Sequence, residues 1–177
     1  MPRLQEAFAN AKRYGTQQLN VLAGILPTGA DRLAAFATGL KNLRRVEPLF
    51  TEAGITLLLE NINTIDMPGY LLDTPTRAAE LVVAIDSPSM QMQLDQCPAG
   101  MMKLDARAER KAHRDRIRPV QTADVPGRHQ PGTGAQPPQE FLSDLDVLGF
   151  GGAVGLEYKQ QGTTEECLAW LPREARG

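Results

Sequence analysis

The chain has 177 residues, a formal net charge of −2, and 42% hydrophobic against 23% charged residues. That length favours one domain with room for a sizeable core, and the near-balanced charge gives no global reason to expect nucleic acid or an anionic membrane as partner. Two cysteines far apart in sequence, Cys97 and Cys167, make no disulfide framework and fit a reducing cytosol, and no run of about 18 apolar residues indicates a membrane span.

The opening MPRLQEAFANAKRYG lacks the apolar core of a secretory signal and reads as a helix already under way, so a cytoplasmic location is expected. Leu4, Ala7, Phe8, Ala11 and Tyr14 fall at helical spacing, with Gly15 as the stop. QLNVLAG (18–24) reads as a short buried strand. The turn PTGAD places Asp31 to cap a helix whose apolar stripe is Leu33, Phe36, Ala37, Leu40 and Leu43. Pro48 is expected to kink or interrupt that helix before Gly54. ITLLLE (55–60) is a strand and NINTIDMPGY a loop. Thr74 then caps a helix with Pro75 at its first position, continued by Ala78, Ala79, Val82, Val83 and Ile85. Ser87-Pro88 ends it, and MQMQLD (90–95) follows as a strand.

The segment 96–119 resists this pattern. Ten of the sixteen residues from Lys103 to Arg118 are charged, so a helix here would be nearly all polar and a poor partner for a sheet. Seven of the ten are basic, but no aromatic residue interleaves with them, which gives base stacking with a nucleic acid no support. His113 in this run reads as solvated. Pro119 falls where a strand is due, and central strands tolerate proline badly. VQTAD (120–124) is strand-like, VPGRHQPGTGAQPP is a long loop, and Phe141, Leu142, Leu145 and Leu148 mark a helix. Gly149–Gly152 is a turn, AVGLEY (153–158) a last strand, and Thr164–Leu171 a short closing helix.

Strands alternating with helices imply parallel strands joined by crossovers. The five strands start roughly 30 to 37 residues apart, one βα unit each. The order fits either an open doubly wound sheet or part of a barrel.

The strands share a feature at their carboxyl ends, where α/β proteins place ligands. ITLLLE ends on Glu60, MQMQLD ends on Asp95, VQTAD carries Gln121 and AVGLEY carries Glu157. An isolated acid at a strand end is most often a helix cap or a solvated turn. Four oxygen-bearing side chains in succession point instead to one site. Three converging carboxylates need a counter-charge, and an oxygen-only donor set favours Mg²⁺ or Mn²⁺ over zinc or copper. Arg128, in a loop stiffened by glycine and proline, suits bidentate binding of a substrate carboxylate above such a site.

LLLENINTIDMPGYLLDT, QLD, VQTADVPGRHQPGTG and GLEY, in this order and spacing, resemble the hydroxypyruvate isomerase family of xylose-isomerase-like TIM barrels. The resemblance runs from about residue 3 to residue 171 and weakens over 96–119. It implies a (βα)₈ barrel that interconverts hydroxypyruvate and tartronate semialdehyde. A divalent metal would be held by Glu60, Asp95, Gln121 and Glu157. Glu60 and Glu157 would exchange the proton, and Arg128 would bind the substrate carboxylate. A related activity on 2-oxo-tetronates shares nearly the same motifs.

The chain departs from that pattern in several places. The family has proline where Asn61 stands, and a histidine where Pro98 stands. Residues 96–119 read as a divergent insert, of the kind a local reading-frame shift would give. The five strands match the family's last five, so three βα units and their share of the pocket are expected to be missing. A sheet of that kind has two open edges, which invite pairing with another chain or a homo-oligomer. An inactive barrel remnant is therefore the alternative to an active isomerase.

Overall fold

The computed structural model describes residues 2–175. A helix α1 (Pro2–Tyr14) precedes five strands, β1 (Gln18–Val21), β2 (Thr56–Glu60), β3 (Met90–Asp95), β4 (Ile117–Thr122) and β5 (Val154–Leu156). Between them lie α2 (Arg32–Glu52), α3 (Pro75–Ile85), α4 (Gln96–Met101), α5 (Ala106–His113) and α6 (Pro138–Val147), and α7 (Thr164–Cys167) follows β5. All four strand pairings are parallel, and the spatial order β1-β2-β3-β4-β5 repeats the chain order. A doubly wound sheet would reverse direction at a switch point. The unreversed order is that of a barrel, here five strands of an incomplete one.

Strand alternation divides the sheet into two faces. Leu57, Leu59, Met90, Met92, Leu94, Ile117 and Val120 join one hydrophobic core with Phe50 of α2, Val82 of α3 and Phe141 of α6. The intervening residues Leu58, Glu60, Gln91, Gln93, Asp95 and Gln121 therefore line the opposite, concave face. β1 is shorter than the expected 18–24 and is not buried: its residues alternate between exposed and half-buried. It is an edge strand, with a neighbour on one side only.

The helices are capped as anticipated. The Asp31 carboxylate accepts the Leu33 N–H at 2.9 Å, and the Thr74 hydroxyl accepts the Arg77 N–H at 3.2 Å. Pro48 does not interrupt α2, which runs on to Glu52. A proline within a helix costs about 3 kcal/mol through its missing N–H. Here Leu43 and Phe50 lie buried on either side of it, and Phe8 meets Phe50 edge-on at 5.2 Å. The apolar stripes are narrower than their spacing suggested: Leu33 is 80% exposed and Tyr14 72%, and Ala7, Ala37 and Val83 are also exposed.

The charge-rich segment does form helices that pack, contrary to its polar pattern. The Asp105 carboxylate caps α5 by accepting the N–H groups of Arg107 and Ala108. The helix buries a single long cation, Arg110, whose side chain is 5% exposed. Its guanidinium donates to Gln96 Oε1 at 2.7 Å and Asp144 Oδ2 at 2.8 Å, and lies 5.2 Å over the Phe141 ring. A buried cation is tolerable when paired in this way. His113 is not simply solvated, because its Nε2 lies 3.3 Å from Glu109 one turn earlier.

Pro119 lies inside β4, which begins three residues before the expected 120–124 and ends at Thr122. The pairing shows how this is accommodated. Met92 pairs with Ile117 and Leu94 with Val120, so two residues of β4, Arg118 and Pro119, oppose one of β3. That is a β-bulge, where a missing N–H breaks no regular ladder bond. Two further elements are shorter than expected: β5 stops at Leu156, and the helix expected over Thr164–Leu171 ends at Cys167 after a capping box between Thr163 and Glu166.

The pairing of Arg110 predicts an asymmetric pair of variants. Asp144→Ala leaves a buried cation unpaired and should cost about 3–5 kcal/mol in urea unfolding, whereas Arg110→Met should cost little or stabilise. Equal losses from the two would contradict this account of α5.

Candidate active site

Each of β2 to β5 delivers one of the expected polar side chains at or beside its carboxyl end. Glu60 closes β2 and Asp95 closes β3, and Gln121 pairs in register with Asp95. Glu157 follows β5 and donates its N–H to Thr122 O at 3.3 Å. Carboxylate oxygens of Glu60, Asp95 and Glu157 lie within 4.8 Å of one another. Glu60 is 7% exposed and Asp95 fully buried, while Glu157 is exposed. Gln121 sits beside this group with its Oε1 accepting from Gln93 Nε2 at 2.9 Å.

Burial pushes the pKa of Glu60 up, and the charges of Asp95 and Glu157 add to that. Hydrogen bonds from Asn20 and Gln93 work in the opposite direction, with Asn20 Nδ2 at 2.5 Å from Glu60 Oε2. Burial likewise raises Asp95, against the pull of Arg128 and of the Cys97 N–H. The Cys97 thiol is pushed up to about 11, chiefly by burial and then by the Asp95 charge, so it is no thiolate nucleophile at neutral pH.

Arg128 is not held clear of the carboxylates, as its expected role would have it. Its Nη2 lies 2.5 Å from Asp95 Oδ2 and 3.2 Å from Glu157 Oε2. The guanidinium is the counter-charge to two members of the cluster. The loop carrying it is fixed less by its prolines than by Asp124. That buried carboxylate accepts the N–H groups of Val125, Gly132, Gly134 and Gln136 at 2.8–3.0 Å. Gly134 is required there, since a Cβ would come within 2.2 Å of Val125 O and 2.6 Å of Asp124 Oδ1. Arg128 itself has φ +56°, a left-handed conformation that a non-glycine residue keeps only when its surroundings hold it.

The donors suit a hard divalent cation. Three carboxylates converge, two of them are buried with raised pKa values, and one guanidinium faces them. A cation among Glu60, Asp95 and Glu157 would remove the cost of holding them charged. Asn61, which follows Glu60, is buried with neither side-chain polar atom hydrogen-bonded, and Pro98 is buried in the first turn of α4. The sequence pattern had not marked Asn20, Gln93 or Asp124. Gln93 was open to inference, because it lies two residues before Asp95 and so on the same face.

Comparison with known proteins gives a consistent picture. The sequence profile described as "Xylose isomerase-like TIM barrel" matches residues 2–174. The chain is 32% identical over 165 residues to 2-oxo-tetronate isomerase of Cupriavidus necator, and 31% identical over 165 residues to hydroxypyruvate isomerase of Escherichia coli. Each match covers 93% of this chain and 64% of the relative, so the chain spans just under two thirds of the length of these curated relatives. A crystal structure described as AP endonuclease, family 2, from Brucella melitensis superposes with a TM-score of 0.87 at 32% identity. That match covers 96% of this chain and 67% of the other. Among the described residues, no helix is long and apolar enough to cross a membrane.

The raised carboxylates set a pH dependence for the metal-free chain. A carboxyl group whose pKa rises on folding contributes stability that is complete below its unfolded pKa and is lost as pH rises through the folded one. Urea midpoints without divalent metal should therefore carry a component that declines as pH rises above the ordinary carboxylate range. Glu60→Gln should flatten that component, and an unchanged slope would contradict the assignment.

Proposed function

This chain belongs to the xylose isomerase-like TIM barrel family, and from that premise we propose that it carries the metal-binding, proton-transferring part of an isomerase of small hydroxy-oxo acids. The reaction is the interconversion of hydroxypyruvate and 2-hydroxy-3-oxopropanoate (tartronate semialdehyde). The observation that carries it is the convergence of Glu60, Asp95 and Glu157 within 4.8 Å at the carboxyl ends of parallel strands. Glu60, Asp95, Gln121 and Glu157 would hold a divalent ion, Mg²⁺ or Mn²⁺. When bound, such an ion would supply positive charge that stabilises the developing enediolate.

The chain's own residues do the rest. Glu60 takes a proton from the hydroxymethyl carbon of hydroxypyruvate, giving an enediolate, and Glu157 delivers a proton to the neighbouring carbon. The hydroxyl proton moves between the two oxygens, so the carbonyl and hydroxyl groups exchange places. Asn20 and Gln93 orient the Glu60 carboxylate and favour its ionised form against the pull of burial. Arg128, released from Asp95 and Glu157 when their charge is otherwise neutralised, forks onto the substrate carboxylate. The site is cytosolic in this reading, in keeping with the two free, buried cysteines.

Two further readings have observations behind them. The near-equal identity to 2-oxo-tetronate isomerase makes a four-carbon acid the alternative substrate. The five-stranded sheet favours metal binding without turnover by these residues alone, since they build only part of a (βα)₈ cavity.

Purified chain incubated with hydroxypyruvate and Mn²⁺ or Mg²⁺, coupled to a tartronate semialdehyde reductase, tests the main reading. Turnover should vanish with a chelator and fall by about 10²-fold or more in Glu60→Gln. No turnover with metal still bound selects the remnant. Gln93→Leu should weaken Mn²⁺ binding about 10-fold or more in calorimetry, as expected when the partner that orients a metal ligand is lost. Unchanged affinity would remove Gln93 from the site.

A further inference from the structure

The arginines of the charge-rich segment are not all used by the fold. A cavity of about 560 Å³ lies against β4 and is lined by Arg110, Arg114, Arg118, Asp115 and the Gly149–Gly152 turn. Its apolar wall includes Ile117, Val120, Leu145, Leu148 and Phe150. Ile117 and Val120 belong to the helix-facing core, so the cavity opens on the opposite side of the sheet from Glu60 and Asp95. It is thus separate from the metal cluster.

The charge around it is unbalanced. Arg110 is paired with Asp144 but keeps a buried Nε–H without a partner. Arg114 meets Asp115 only at 3.5 Å, with both side chains mostly exposed, a contact worth little in water. Arg118 makes no ion pair among the described residues and reaches only the Ile117 carbonyl, at 3.4 Å. Three arginines therefore line one cavity; Asp144 answers Arg110, and only the weakly held Asp115 carboxylate answers Arg114 and Arg118. The glycine turn closes the far wall tightly: a Cβ on Gly152 would lie 2.3 Å from Arg118 O and 2.5 Å from the Phe150 ring.

We infer that this cavity is a binding site for an organic phosphate. Its apolar body lies against Leu145, Leu148 and Phe150, and its phosphate is held by Arg114 and Arg118. The volume is that of an ordinary small-molecule pocket. Guanidinium forks match phosphate oxygens two at a time. The apolar wall distinguishes such a ligand from a bare inorganic anion, which gains nothing from Leu148 or Phe150.

Phenyl phosphate is the probe, titrated into ¹⁵N-labelled chain, with inorganic phosphate and benzyl alcohol as comparisons. Phenyl phosphate should bind saturably, about fivefold or more tighter than inorganic phosphate, and shift the amides of Gly149, Gly151 and Gly152. Arg118→Gln and Arg114→Gln should each weaken it about tenfold, and Arg118→Lys less, with unchanged urea midpoints showing that the variants fold. Added salt should weaken binding as well. Absence of saturable binding would overturn the inference. So would equal affinity for inorganic phosphate, or shifts confined to the loop around Asp95 and Arg128. Mn²⁺ binding and hydroxypyruvate turnover should be unchanged in Arg118→Gln, so failure here and failure of the isomerase reading are separately visible.

Discussion

Two carboxylates are held almost out of reach of water, and much of the concave face answers to that cost. Glu60 and Asp95 end neighbouring strands in a sheet whose other face is filled with Leu, Met, Ile and Val. Burial alone would drive both toward the neutral acid. The neighbours resist it: Asn20 and Gln93 donate to Glu60, and Arg128 and the Cys97 amide serve Asp95. Arg128 can do so because Asp124 gathers four backbone N–H groups and fixes the loop beneath it. Charge placement at the strand ends therefore extends into loop geometry more than thirty residues away in sequence.

The scaffold beneath the site is simple in order and incomplete in extent. Five parallel strands in chain order supply a wall of polar residues on the concave face and a continuous core on the other. β1 shows what an open edge means locally: its residues stay half exposed because only β2 pairs with it. Pairing of that edge with further strands would bury it.

Much of this was legible in the sequence, and the limits have physical reasons. ITLLLE and MQMQLD read as strands that end on Glu60 and Asp95, and Asp31 and Thr74 read directly as caps. Pro48 and Pro119 misled for opposite reasons. Pro48 sits in a helix whose buried Leu43 and Phe50 outweigh one lost hydrogen bond. Pro119 sits in a bulge, and a bulge is a property of two strands together, invisible in either alone. α5 shows no apolar stripe because its packing residue is an arginine. Arg110 becomes a core residue only through Asp144 and Phe141, which lie more than thirty residues further on. Asn20 escaped notice because its approach to Glu60 depends on the β1–β2 register.

Glu60, Asp95 and Glu157, with Gln121 beside them, are proposed as one site for a hard divalent cation. Electron paramagnetic resonance of Mn²⁺ added to the purified chain near neutral pH tests it most directly. One bound Mn²⁺ per chain with an oxygen-ligand spectrum is expected, with loss of that signal in Asp95→Ala at unchanged fold. Mn²⁺ that stays free in solution at millimolar chain, or a bound signal that survives Asp95→Ala, would contradict it.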